Sequence, residues 1–151
     1  MRLRPATVLD VPRLLTLMRG LYSQDGLVWR RRMARAALLG LLRDPRRGRA
    51  WLVEAGGVPA GYLVVTLGWS LEYLGLDAFV DEFYLAPAWR GRGVGFAAIR
   101  LAEAACRRLG VRALHLEVER RNLRARRFYH RAGFADHDRY LLTRFLAPRG
   151  A

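Results

Sequence analysis

The stretch Phe79-Val80-Asp81-Glu82-Phe83-Tyr84-Leu85, followed after four residues by Arg90-Gly91-Arg92-Gly93-Val94-Gly95, decides the fold. The first run is apolar enough, and rich enough in aromatic residues, to read as a strand. Beyond the glycines, Phe96 to Leu109 repeats its apolar residues at helical spacing. Three glycines between a strand and a helix allow backbone N–H groups to approach a ligand without side chains intervening. The positive end of the helix points at the same place, and Arg90 and Arg92 add full charge. Such a loop is suited to a phosphate or pyrophosphate.

Working outward, Gly110 ends that helix and 112–118 reads as the next strand, followed by a short helix over about 122–132 closed by Gly133. A last strand region begins at Phe134 and includes Tyr140 to Leu146. Upstream, Asp10 is read as an N-cap with Pro12 in the first turn of a helix striped by Leu14, Leu15, Leu17, Met18 and Leu21. A second helix is expected over Trp29 to Arg43, stopped by Asp44-Pro45. Ala50 to Glu54, Gly56-Gly57 and Val58 to Leu67 form a hairpin pattern, and Ser70 to Leu76 reads as an irregular connector. Arg2 to Arg4 is a short edge strand. This order predicts an α/β fold, a mixed six- to seven-stranded central sheet flanked by about four helices, in one domain over residues 1–151.

Composition narrows the partners. With 52% hydrophobic residues in 151, the chain can bury one real core. It contains no apolar run long enough for a membrane span and no signal-peptide stretch at Met1-Arg2-Leu3-Arg4-Pro5, so a cytoplasmic setting is expected. The formal net charge of +14 points first to nucleic acid. All 27 basic residues are arginine, however, and Ile99, Gln24 and Asn122 are the sole representatives of their types. That bias reads as GC-rich coding, with many arginines on solvated faces. His115, His130, His137 and Cys106 have no metal-ligand spacing, so no metal is assigned. Cys106 reads as a buried, inert thiol. Only Ser23 and Ser70 are serines, and neither forms a hydrolase-like arrangement.

Arg90-Gly91-Arg92-Gly93-Val94-Gly95 resembles the Q/R-x-x-G-x-G/A signature of the GNAT superfamily of N-acetyltransferases. Leu116-Glu117-Val118, Asn122, Ala125, Phe128-Tyr129 and Gly133-Phe134 match its downstream pattern, so the resemblance spans about residues 77 to 146. It implies acetyl-CoA as cosubstrate and direct acyl transfer to an amine. It further implies that backbone groups near Phe83, Tyr84 and Leu85 pair with the pantetheine arm. The N–H groups of Gly91, Arg92, Gly93, Val94, Gly95 and Phe96 would surround the pyrophosphate, with Arg90 and Arg92 neutralising it. Asn122 would contact the pantetheine, a role compatible with an N-cap. Arg124, Arg126, Arg127 and Arg131 are read mainly as solvated, though near the expected adenosine phosphate.

Tyr129 fits the acid that protonates the leaving thiolate. Glu117 lies twelve residues before it, in the setting found in ribosomal-protein alanine acetyltransferases of this family. Glu82 and Asp81 occupy the strand where other members hold a glutamate base. Strand alternation predicts that these two point to opposite faces. Acidic Glu72, Asp77, Asp81 and Glu82, with Tyr22, Trp29, Trp69 and Tyr73, suit a cationic amine against an apolar wall. The leading reading is therefore an N-acetyltransferase acting on a primary amine. The alternatives are a non-catalytic acyl-CoA-binding or regulatory module and a basic nucleic-acid-binding protein. The apolar Tyr140 to Leu146 stretch would complete the sheet or pair with a second copy in a homodimer.

Overall fold

A computed structural model describes residues 1–147. Strand β1 (Arg2–Pro5) leads through a 3-10 turn, Val8–Asp10, into helices α1 (Val11–Gln24) and α2 (Arg31–Leu42). Then come β2 (Gly48–Ala55), β3 (Val58–Ser70) and β4 (Gly75–Leu85). A second 3-10 turn, Pro87–Trp89, precedes α3 (Val94–Arg108), β5 (Ala113–His115) and α4 (Leu123–Arg131). Among the described residues the sheet has five strands in the order β1-β2-β3-β4-β5, antiparallel except for the parallel β4–β5 pair.

Two apolar layers cover the sheet. On one face Val11, Leu14, Leu15 and Met18 of α1, at helical spacing, and Leu38 of α2 pack on Ala50, Leu52, Tyr62 and Val64. On the other, α3 presents Ile99, Ala102 and Cys106 to Trp51, Leu63, Val65, Ala78 and Val80. The small residues on α3 let the helix lie close to the strands. Cys106 is buried there, and burial pushes its thiol up, as expected of an inert core sulfur.

Several expectations are corrected. The 112–118 strand shortens to Ala113–His115, because its chain leaves the β4 ladder after Phe79↔His115. Tyr140 to Leu146 is not a strand; Tyr140, Leu142 and Leu146 are exposed, and among the described residues the sheet therefore has one strand fewer than the lower expectation. Ser70 to Leu76 is no irregular connector. Trp69↔Leu76 and Ser70↔Gly75 extend the β3–β4 ladder to a tight turn, with Leu74 at φ 60. The second helix starts at Arg31 rather than Trp29.

Asp10 does not cap α1 through its side chain. It closes a capping box with Thr7 on the preceding 3-10 turn and receives the Arg4 guanidinium at 2.7 and 3.1 Å. Arg4 also reaches Glu54 at 2.8 Å, so one arginine ties β1 to both β2 and the entry of α1. The Arg4 hydrogen bonds hold the buried Asp10 carboxyl down at about 2. A depressed folded value stabilises the fold fully above the ordinary carboxylate value near 4, and that stabilisation is lost as pH falls through about 2. Asp10→Asn should cost about 2 kcal/mol at neutral pH in urea unfolding and flatten the acid limb of stability against pH; an unchanged acid limb would remove Asp10 as its source.

Candidate functional site

Strand β4 pairs with β3 along its whole length but with β5 only over Asp77–Phe79. From Val80 to Leu85 its other edge has no strand partner among the described residues, so, apart from the Leu85 carbonyl that Arg90 reaches at 2.8 Å, the backbone groups directed to that edge are open to a ligand. That open edge runs into the glycine loop. Gly91 and Gly93 have φ of 72 and 77, a region that glycine enters without steric cost. Gly93 is the N-cap of α3 and offers no side-chain acceptor, which leaves the first N–H groups of the helix uncapped. Gly95 lies where an added Cβ would come within 3.3 Å of Leu85 and 3.4 Å of Phe128, so the loop is held close to β4 and α4. A strand edge ending at an uncapped helix start fits an elongated ligand that carries amides and a pyrophosphate.

The β4 ladder slips where Val64 faces Glu82 but Val65 faces Val80, leaving Asp81 as the extra residue of a β-bulge. Val80 and Phe83 both pack on the α3 side, so the two carboxylates between them fall together on the α1 side. The expected opposite orientation is thereby overturned: the bulge breaks the alternation. Glu82 accepts a 2.8 Å hydrogen bond from the Tyr62 hydroxyl, and the Tyr22 hydroxyl of α1 lies in its neighbourhood. Burial pushes the Glu82 carboxyl up; the two hydroxyls pull it partly back, and the Asp81 charge adds to the rise. Burial, then the Glu82 charge, pushes Tyr22 up to about 12 and Tyr62 well above the ordinary phenol value. No arginine pairs with Asp81 or Glu82 among the described residues, in a chain with 27 basic side chains.

Tyr129 of α4 packs edge-on against Phe128 and Phe134, at centroid distances of 5.0 and 5.7 Å. Burial raises its hydroxyl to about 12, so it remains a proton donor at neutral pH. It lines a cleft of about 1360 Å³ together with Leu116, Glu117 and Val118, where Glu117 is exposed. Glu117 and Tyr129 thus share one cleft, whereas Asp81 and Glu82 meet on the α1 face. Asn122 caps α4, its Oδ1 accepting from the Ala125 N–H at 3.0 Å. Its amide NH₂ is still available to a ligand.

Arg92 lies over the Trp89 ring at 5.8 Å, beside the loop. Arg90 instead reaches α1, donating to Gln24 at 2.5 Å and to the Leu85 carbonyl at 2.8 Å. Tyr62 and Gln24 are polar participants that sequence reasoning passed over. Tyr62 sits in an otherwise apolar strand run, and Gln24 is the lone glutamine, so each carried a faint signal. No group of three or more His, Cys, Asp or Glu among the described residues has a metal-binding arrangement. No helix among them is long and apolar enough to cross a membrane.

Residues 14–134 match the family described as Acetyltransferase (GNAT) family. The chain is 36% identical over 62 residues to the uncharacterized N-acetyltransferase YycN of Bacillus subtilis (strain 168). It is 31% identical over 89 residues to the uncharacterized N-acetyltransferase MJ1207 of Methanocaldococcus jannaschii. These stretches are 41% and 58% of this chain, and the chain spans only 40% and 39% of those relatives. Among solved structures, an integron cassette protein from the mobile metagenome of Cole Harbour Salt Marsh is 42% identical, with a TM-score of 0.87. That alignment covers 97% of this chain and 91% of the cassette protein. A possible acetyltransferase from Clostridium difficile 630 shares the fold, with a TM-score of 0.86 at 17% identity and 97% coverage of each chain.

The Tyr62 hydroxyl favours ionised Glu82, so removing it must raise that carboxyl further. Tyr62→Phe should therefore move the Glu82 titration upward in carboxyl NMR and cost about 1 kcal/mol of stability. A titration that stays in place would mean that the hydroxyl does not tune Glu82.

Proposed function

Because the chain belongs to the GNAT acetyltransferase family, we propose that it transfers the acetyl group of acetyl-CoA to a primary amine. The transfer is direct, within a complex that holds both substrates, and the chain acts as a single catalytic domain. The observation that carries this reading is the free β4 edge ending at the uncapped, glycine-lined start of α3. The family uses acetyl-CoA as cosubstrate. Peptide N–H groups from Gly91 to Phe96 receive its pyrophosphate, with Arg92 alongside. The backbone along Phe83, Tyr84 and Leu85 pairs with the pantetheine amides, the Leu85 carbonyl also accepting from Arg90, and Asn122 adds its side-chain amide from the α4 end.

Acetyl-CoA supplies an activated thioester, whose C–S bond breaks as the amine nitrogen bonds to the acyl carbon. An ammonium must first lose a proton, and the departing sulfur must gain one. Glu82 takes the first proton. Its carboxyl is raised by burial, which brings its basicity closer to neutral pH, and tyrosines rather than arginines are its partners. Asp81 beside it adds negative charge that attracts the ammonium. Tyr129 gives the second proton from the cleft side. Glu117 is the competing base, favoured by its place in the same cleft as Tyr129.

The acceptor is a cationic amine, since Asp81 and Glu82 face the α1 side without a guanidinium to neutralise them. Tyr22, edge-on to Trp29 at 5.3 Å, furnishes an apolar wall at that place. The proposed class comprises small amines, amino-acid derivatives and peptide amines.

Free-thiol release from acetyl-CoA across an amine panel tests the reaction and the acceptor class together. Absence of release with every amine, despite saturable CoA binding, would favour a non-catalytic acyl-CoA module. Tyr129→Phe should slow turnover about 100-fold while leaving CoA affinity in place; an unchanged rate would remove Tyr129 from the chemistry. With Glu82 as base, kcat/KM climbs as pH rises through its elevated value, because only the ionised carboxylate accepts a proton. Glu82→Gln should abolish that limb and Glu117→Gln should keep it; the reverse pattern would transfer the role to Glu117.

A further inference from the structure

Arg90 opens the glycine loop, yet its guanidinium is committed to the α1 side of the sheet. Nε donates to the Leu85 carbonyl at 2.8 Å and Nη2 to Gln24 Oε1 at 2.5 Å, while the group lies 5.5 Å from the centroid of the Tyr84 ring. Tyr84 in turn supports α1 from below. A Cβ added at Gly20 would come within 2.6 Å of the Tyr84 hydroxyl, so glycine there is what lets the helix rest on this ring. The last turns of α1 therefore have two ties to the loop, one through Gln24 and one through Tyr84.

Those same turns carry Tyr22, whose ring meets Trp29 at 5.3 Å and whose hydroxyl neighbours the Glu82 carboxylate. A continuous set of contacts thus runs from the first glycine of the loop, through Arg90, Gln24 and α1, to the carboxylate on the amine side. Immobilising one end of such a set lowers the entropy still to be lost when the other end is occupied, which couples the two sites.

We propose that Arg90 is a positioning residue that couples the sites: an acyl-CoA seated in the loop stiffens the end of α1 and thereby sets Tyr22 over Glu82 for the amine. This rests on the acyl-CoA reading of the loop. Gln24 is the place to test it, because it belongs to the latch alone and has no part in either site's chemistry. Glutamate at this position keeps an acceptor for Arg90, whereas alanine has none.

Amide hydrogen exchange is measured on the full chain with and without saturating free CoA, for wild type, Gln24→Ala and Gln24→Glu. In wild type, CoA slows exchange in residues 91–96 and also, by at least about fivefold, in residues 20–25. In Gln24→Ala the loop remains protected and the effect at 20–25 is lost; Gln24→Glu restores it. Loop protection without any change at 20–25 in wild type overturns the coupling, as does an undiminished change in Gln24→Ala. A loop that CoA does not protect in wild type overturns the acyl-CoA reading and the coupling with it.

Discussion

A β-strand has two hydrogen-bonding edges, and the organisation of this molecule depends on how β4 distributes its own. One edge is fully engaged by β3. The other is released after Phe79, where β5 departs. Near that departure the bulge at Asp81 adds one residue, turning two consecutive carboxylates toward the same face. The split and the bulge are complementary devices. One frees backbone on the way to the glycine loop, and the other concentrates negative charge on the face beneath α1. Both are built from a single strand, so the donor and acceptor sides of the proposed reaction are held in fixed relation by one ladder of hydrogen bonds.

Much of this was legible in the chain. Helical spacing located α1 and α3, Gly56-Gly57 announced the β2–β3 hairpin, and the arginine–glycine loop fell at the strand-to-helix junction where it was expected. Local patterns succeed there because side-chain period and glycine conformation are set by the nearest neighbours. The bulge was not legible. It is an offset between two strands, and alternation read along β4 alone predicts the wrong face for one of its two carboxylates. The length of β5 was misread for a related reason. Val118 looks like strand by composition, but pairing ends where β4 and β5 diverge. The apolar Tyr140 to Leu146 stretch shows the converse: strand-like residues with no ladder among the described residues.

The site was legible in its parts and less so in its assembly. Tyr129 and Glu117 do share a cleft, and Asn122 does cap α4. What single residues could not reveal was the environment of Glu82. Burial raises its carboxyl, while tyrosine hydroxyls that come from β3 and α1, far away in the chain, pull it partly back. Arg90 is similar: its charge suggested phosphate, while its geometry binds it to a helix more than sixty residues upstream.

Every ion pair from a permanently charged side chain in this fold is made by a guanidinium, from Arg2 and Arg4 on Glu54 to Arg107 on Glu103 and Arg139 on Glu72. Guanidinium stays protonated and is a poor nucleophile at neutral pH, whereas a lysine amine has a free-base fraction that a thioester can acylate. A protein that holds an activated acetyl group for long periods exposes its own surface to that reagent. Here no side-chain amine exists to be modified, so the charges that clamp β1, β2 and the β3–β4 turn are chemically inert toward the proposed donor. Whatever mutational bias removed lysine, it left a scaffold whose electrostatics cannot be eroded by self-acetylation at side chains.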